Sequence, residues 1–207
     1  MSMPSTSAHS LIWPSAAHSA TAARQPNGNF GGELLQRRRL FAQFAALRGP
    51  LEEAAALISE FLSHGAKLVL LGHGASLLVA TLLCGELNRR ARRWATSAPL
   101  HTVAVTADDG ADSFVQVSGR AGDVALWLSG RGDSVSLLRS VSAAHRLGMA
   151  NIAIVGSGGG AMRGLTDICL SVPHDDPMRV GEAQLFLGHA MARQIDVALR
   201  PTAVALA

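Results

Sequence analysis

Two ionisable side chains stand out because of their surroundings. Glu86 is the first charge after Lys67 and closes the apolar run of "SLLVATLLCGELNRR". Such a carboxylate has two readings. It pairs at the rim of a helix with Arg89 and Arg90, at i+3 and i+4, or it enters a cleft where desolvation raises its pKa towards general-base strength. His189, within "EAQLFLGHAMARQIDVAL", reads either as a satisfied core or interface histidine or as an acid/base group. Two short turns could hold what such a pair would act on: "GHGAS", Gly72 to Ser76, and "SGRGDS", Ser129 to Ser134. In each, glycines let the backbone turn tightly, amides at a following helix start point outward, and a serine can donate to an oxyanion. Two such turns on one crevice make a phosphate or sugar cradle, with His73 at its border. Either turn alone also serves as a plain connector, since "GHGASL" lacks the third glycine of a dinucleotide fingerprint and has no Walker lysine.

The elements that must position these residues alternate along the chain. "KLVLLG" (67 to 72), "HTVAVT" (101 to 106), "DVALWLS" (123 to 129), "NIAIVG" (151 to 156) and "DICLSVP" (167 to 173) are short continuous apolar runs, as required of strands covered on both faces. Helices are expected at 76 to 94, 134 to 148 and 178 to 199, with none between the second and third strands. Two more, "ELLQRRRLFAQFAALRG" and "PLEEAAALISEFLSHG", precede the first strand, each closed by glycine and the second opened by Pro50. The fold class is therefore α/β, an open parallel five-stranded sheet with helices on both faces, and its ligands bind beyond the carboxyl ends of the strands.

Composition limits the rest. The 207 residues are 48% hydrophobic and 16% charged, which suits one folded domain spanning 33–207 after a disordered tail over 1–32. No apolar run reaches the length of about 18 residues that crosses a bilayer, and the first residues lack the basic start and unbroken apolar stretch of a secretion signal. A soluble, cytoplasmic protein is expected, with Cys84 and Cys169 as buried reduced thiols. The net charge is +3, and its positive groups are almost all arginine, Lys67 being the only lysine. The cluster in "NRRARRW" reads as a solvated helix end, without the interleaved aromatics of a nucleic-acid stripe. His64 and His145 lie near helix ends, where they can cap carbonyls.

The stretches "LLGHGAS", "CGELNRR", "AVTADD", "GDVALWLSGRGDSVSLLRSVSAAHRLGM", "NIAIVGSGGGAMRGLTDICLSVP" and "VGEAQLFLGHAMARQID" together resemble the sugar isomerase (SIS) domain, in its phosphoheptose isomerase branch. The resemblance covers about residues 33 to 199 and implies a Rossmann-like SIS architecture. Where the family commonly reads Ser-Thr-Ser-Gly-Asn-Ser, this chain keeps Ser129, Gly132 and Ser134, while Gly130 and Arg131 replace the threonine and the middle serine. The likeness implies that Gly74, Ser76, Ser129, Gly130 and Ser134 line the phosphosugar site, that Asp108 touches the sugar, and that Glu86 and His189 are the acid/base pair. It further implies isomerisation of sedoheptulose 7-phosphate through an enediol, in a homotetramer whose sites form between subunits. Zinc-containing relatives place metal ligands at the positions held here by Leu82 and Gly181, so no metal or other cofactor is expected. The short stretch "DDGADSFVQVSGRAGD" implies that part of the usual sugar-contacting wall is missing. Arg131 either clamps the phosphate or fills the cradle. A related regulator that binds the bacterial replication initiator also carries arginine there, so a non-catalytic phosphosugar-binding module is the alternative.

Overall fold

The computed structural model describes residues 30–94, 102–106 and 111–201. Two units divide after Leu35. Of the first, only the opening turns of helix α1 are described, and the second carries the site. The expected tail falls almost wholly outside the described residues.

Helix α1 (Phe30–Ala42) passes through a 3₁₀ turn (Gln43–Leu47) into α2 (Arg48–Ser63). Gly49 was expected to close the first helix but instead lies with Pro50 in the first turn of α2, where the missing proline amide hydrogen breaks no helical bond. Strands β1 (Leu68–Gly72), β2 (Thr102–Thr106), β3 (Val124–Ser129), β4 (Ala150–Val155) and β5 (Ile168–Ser171) follow, joined through α3 (Ala75–Ala91), α4 (Ala111–Ser118), α5 (Val135–Arg146) and a 3₁₀ turn (Gly160–Gly164). Helix α6 (Pro177–Leu199) ends the fold, its first turn capped by the Asp176 carboxylate, which accepts from the Met178 amide at 2.9 Å.

All pairings are parallel, in the order β2-β1-β3-β4-β5. Side chains alternate across the strands: Leu68, Leu70, Leu126 and Ile152 join the core beneath α2, α3 and α6, whereas Val69, Leu71, Trp127 and Ala153 join the one beneath α4 and α5. Strands β1, β3 and β4 are thus covered on both faces, which is why their runs are apolar throughout rather than alternating, while Val103 on the edge strand β2 stays exposed. Trp127, wholly buried, donates its indole hydrogen to Asn151 on the neighbouring strand at 2.9 Å.

Helix α4 corrects the expectation of a helix-free connection between β2 and β3. Eight residues suffice for two turns, and Ala111 and Val115, at i and i+4, bury one side of them. The strand order places the topological switch between β1 and β3, the two strands whose following turns drew attention in the sequence. A cavity of about 810 Å³ lined by His64, Lys67, Arg120 and Asp123 lies at the opposite, amino-terminal edge, where Lys67 pairs with Asp123 at 3.2 Å.

Candidate active site

Because Gly72 and Leu128 are register partners, the two glycine-serine turns leave the sheet side by side at its carboxyl edge. Gly72 lets the first turn fold back tightly: a Cβ there would lie 2.6 Å from the Leu77 backbone. Gly74 (φ +57°) and Gly132 (φ +73°) take left-handed conformations that a side chain would strain.

The buried Ser76 hydroxyl donates to Gln184 Oε1 at 2.8 Å, and its amide donates to the His73 carbonyl at 3.2 Å. Gln184 Nε2 donates to the Ser129 carbonyl at 3.0 Å and the Ile154 carbonyl at 2.8 Å. One fully buried side chain of α6 therefore ties α3 to the ends of β3 and β4. Ser76 was expected to donate to an oxyanion; in this arrangement its proton is held by Gln184. Ser129 Oγ accepts from the Gly132 amide at 3.0 Å. Ser134 is the N-cap residue of α5, yet its side chain leaves the helix amides uncapped and contacts Ser136 Oγ at 3.0 Å. Ser134 itself therefore does not cap α5, whose amino terminus opens at the carboxyl edge of the sheet.

Arg131 does not fill the cradle. Its side chain is 75% exposed, 3.7 Å from the Asp133 carboxylate, because the loop turns it outward to solvent. His73 and Gly74 are exposed beside Ser76, and Gly130 is half-buried beneath Pro177. Asp108 lies outside the described residues.

Glu86 and His189 line one cavity of about 1260 Å³ between the outer faces of α3 and α6, together with Arg90, Phe186, Arg193 and Asp196. The helices approach closely because residue 188 is glycine: a Cβ there would meet Leu83 Cδ1 at 2.3 Å. His189 is exposed, which removes the reading of a satisfied core histidine. Glu86 takes the rim-pairing reading while still facing the cleft. Arg89 grips both its oxygens at 2.8 Å, and Arg90 reaches Oε1 at 2.6 Å. Hydrogen bonding from Arg89, supported by Arg90, holds the carboxyl below the usual glutamate range against a smaller upward push from burial. The carboxyl is therefore held ionised rather than raised, a correction to the desolvated reading.

Behind Arg90 stands Asp196, which the sequence reading passed over. Buried on α6, it accepts from Arg90 at 2.9 Å, from the Trp94 indole at 2.9 Å, and from Arg200. Burial pushes its carboxyl up, but these donors prevail and lower it to about 2. Gln184 was likewise missed. An amide and a carboxylate inside apolar periodic segments were the available signal, since buried polar groups need partners. Arg90 of the expected solvated cluster is engaged in this network, whereas Arg89 pairs with Glu86 and stays exposed, as a solvated helix end requires. Cys84 and Cys169 form no disulfide and are only half-buried, while His64 Nδ1 sits 2.8 Å from the Glu60 carbonyl at the end of α2, as a capping role requires.

The expected zinc positions offer no ligand. Leu82 presents exposed hydrocarbon and Gly181 has no side chain. Among the described residues, no group of three or more His, Cys, Asp or Glu side chains is placed to hold a metal ion. No described helix is long and apolar enough to cross a membrane.

No protein-family model matches the chain. Individual proteins do. A phosphoheptose isomerase of Rhodospirillum rubrum is 31% identical over 163 residues, spanning 72% of this chain and 86% of that protein. One of Aeromonas hydrophila is 36% identical over 135 residues, covering 60% and 70%. The solved phosphoheptose isomerase of Neisseria gonorrhoeae superposes with a TM-score of 0.71 at 27% identity, covering 81% of this chain and 96% of that one. That of Francisella tularensis gives 0.72 at 25%, with the same coverage. Similarity of this extent, on a sheet whose switch point carries both serine turns, makes the chain a member of the phosphoheptose isomerase family, within the SIS fold.

Proposed function

We propose that the chain interconverts sedoheptulose 7-phosphate and a mannoheptose 7-phosphate as a cytoplasmic homo-oligomer. The observation that carries this reading is the shared cavity of Glu86 and His189, in a chain of this family, with two serine turns at the switch point. Glu86, ionised, takes a proton from the terminal carbon beside the carbonyl and returns it to the former carbonyl carbon, while His189 moves a proton between the oxygens on those two carbons. Arg89 and Arg90 beside Glu86 favour negative charge developing on the enediolate oxygen. The α5 amides with Ser129 and Ser134 take the phosphate. No metal enters this reading, because Leu82 and Gly181 supply no donors. The direct test is ¹H NMR of the purified protein with sedoheptulose 7-phosphate, without added metal. Appearance of the aldose is expected, and binding without turnover would favour the non-catalytic module.

A second copy is part of the proposal. Ser76 and Glu86 are ten residues apart on one helix, about 15 Å at the rise of an α-helix, farther than an extended seven-carbon chain comfortably spans. Leu78 and Leu82 share the Glu86 face of α3, and Phe186 and Val197 share the His189 face of α6, all exposed. Packing this apolar face against another copy would bring one chain's cradle to its neighbour's acid/base pair. Light scattering should return a multiple of the single-chain mass, and Leu82→Glu should reduce it to the monomer together with the activity. A fully active wild-type monomer would end the shared-site idea.

A further inference from the structure

Hydrogen-bond direction at the two turns can be read from acceptors that have no choice. The Ser129 and Ile154 carbonyls can only accept, so the Gln184 atom facing both, at 3.0 and 2.8 Å, is its nitrogen. With that nitrogen committed, Gln184 Oε1 faces Ser76, and an amide oxygen also only accepts. Ser76 must therefore be the donor. Its oxygen keeps lone pairs and has no proton to offer a ligand. Ser129 has the opposite polarity: its oxygen accepts from the Gly132 amide, and its proton remains to be given.

A phosphate ester dianion has acceptors only. For Ser76 to donate to it, the bond to Gln184 must break, leaving a buried carbonyl oxygen unpaired. A sugar hydroxyl brings its own proton and can donate to Ser76 with the network intact. The Ser76 and Leu77 amides are likewise committed, to the His73 and Gly74 carbonyls, whereas the second turn keeps the Ser129 proton for an acceptor.

We propose that Gln184 is a positioning residue that fixes the polarity of Ser76, so that Ser76 accepts a hydrogen bond from a hydroxyl of the sugar chain and takes no part in gripping the phosphate. The two turns then divide the substrate: α5 and its loop hold the phosphate, and the α3 turn reads the carbon chain. The inference rests on the isomerase reading for the identity of the sugar phosphate.

Calorimetric titration with two probes, sedoheptulose 7-phosphate and inorganic phosphate, tests it in the full-length protein. Ser76→Ala should weaken the sugar phosphate by about 10-fold and change inorganic phosphate by less than about twofold, whereas Ser129→Ala should weaken both by about 10-fold. Gln184→Met, which keeps the volume and removes the bonds, should reproduce the sugar-selective loss of Ser76→Ala without weakening inorganic phosphate. A merely structural role for Gln184 would weaken both probes together. The proposal is overturned if Ser76→Ala weakens inorganic phosphate as much as the sugar phosphate, if it alters neither, or if the wild type binds neither. Should Gln184→Met fail to give a cooperative melt, the two serine variants decide alone. Binding of the sugar phosphate without turnover would remove the isomerase reading, while the affinity comparison would still judge this one.

Discussion

Glu86→Gln is expected to lower kcat by about 10³-fold, the middle of the range for loss of a positioned general base. KM should stay within about threefold, since the amide fills the same space and the phosphate is held elsewhere. The substitution removes the atom that takes the proton while leaving a side chain that can still accept a bond from Arg89 or Arg90. Coupled turnover in D₂O checks it twice: the wild type should place deuterium on the carbon beside the carbonyl, and the variant should not. A variant retaining wild-type turnover would remove Glu86 from the chemistry. The arginine pairing adds a pH signature. Hydrogen bonds from Arg89 lead the effects that hold Glu86 below its ordinary value, so the acid limb of kcat/KM should lie below the usual glutamate range. Arg89→Gln should move that limb upward, because one of the groups favouring the charged form is lost.

The largest loss of stability is expected from Asp196→Ala. Its carboxylate is 2% exposed and joined to Arg90, Trp94 and Arg200, and removing one side of a buried pair costs about 3 kcal/mol. For a chain of this size that is a fall of roughly 10 °C in Tm. The same group predicts an acid dependence. Its folded value, about 2, lies below the ordinary 3.8, so its stabilisation is fully present above that ordinary value and is lost as pH falls towards 2. Thermal melts of wild type and Asp196→Asn between pH 2 and 7 check the direction. The variant should start lower at neutral pH and fall less steeply into acid. Parallel curves would assign the acid limb to other carboxylates.

The sheet was legible because continuous apolar runs separated by glycine admit few alternatives, and each strand fell within a residue or two of its expected place. Helix α4 escaped because eight residues give too few periods to register, and the Gly49 boundary failed because a glycine-proline pair suits the first turn of a helix as well as a break. At the site, residue type and position on the chain singled out Glu86 and His189 but left two readings of each open, and only the family resemblance chose the acid/base one. What they touch was not legible. Whether Glu86 is desolvated or paired depends on side-chain rotamers one turn away, and Gln184 and Asp196 acquire their importance only when α6 lies against β3, β4 and α3. Arg131 shows the same limit: its charge is in the sequence, its outward direction is set by the turn at Gly132.

The contact between Gly188 and Leu83 has an evolutionary corollary. With no room for even a methyl group at 188 while a leucine stands opposite, the two positions are not independently variable. A lineage that acquires a side chain at 188 must shift or trim residue 83, so substitutions there should tend to be inherited as a matched couple.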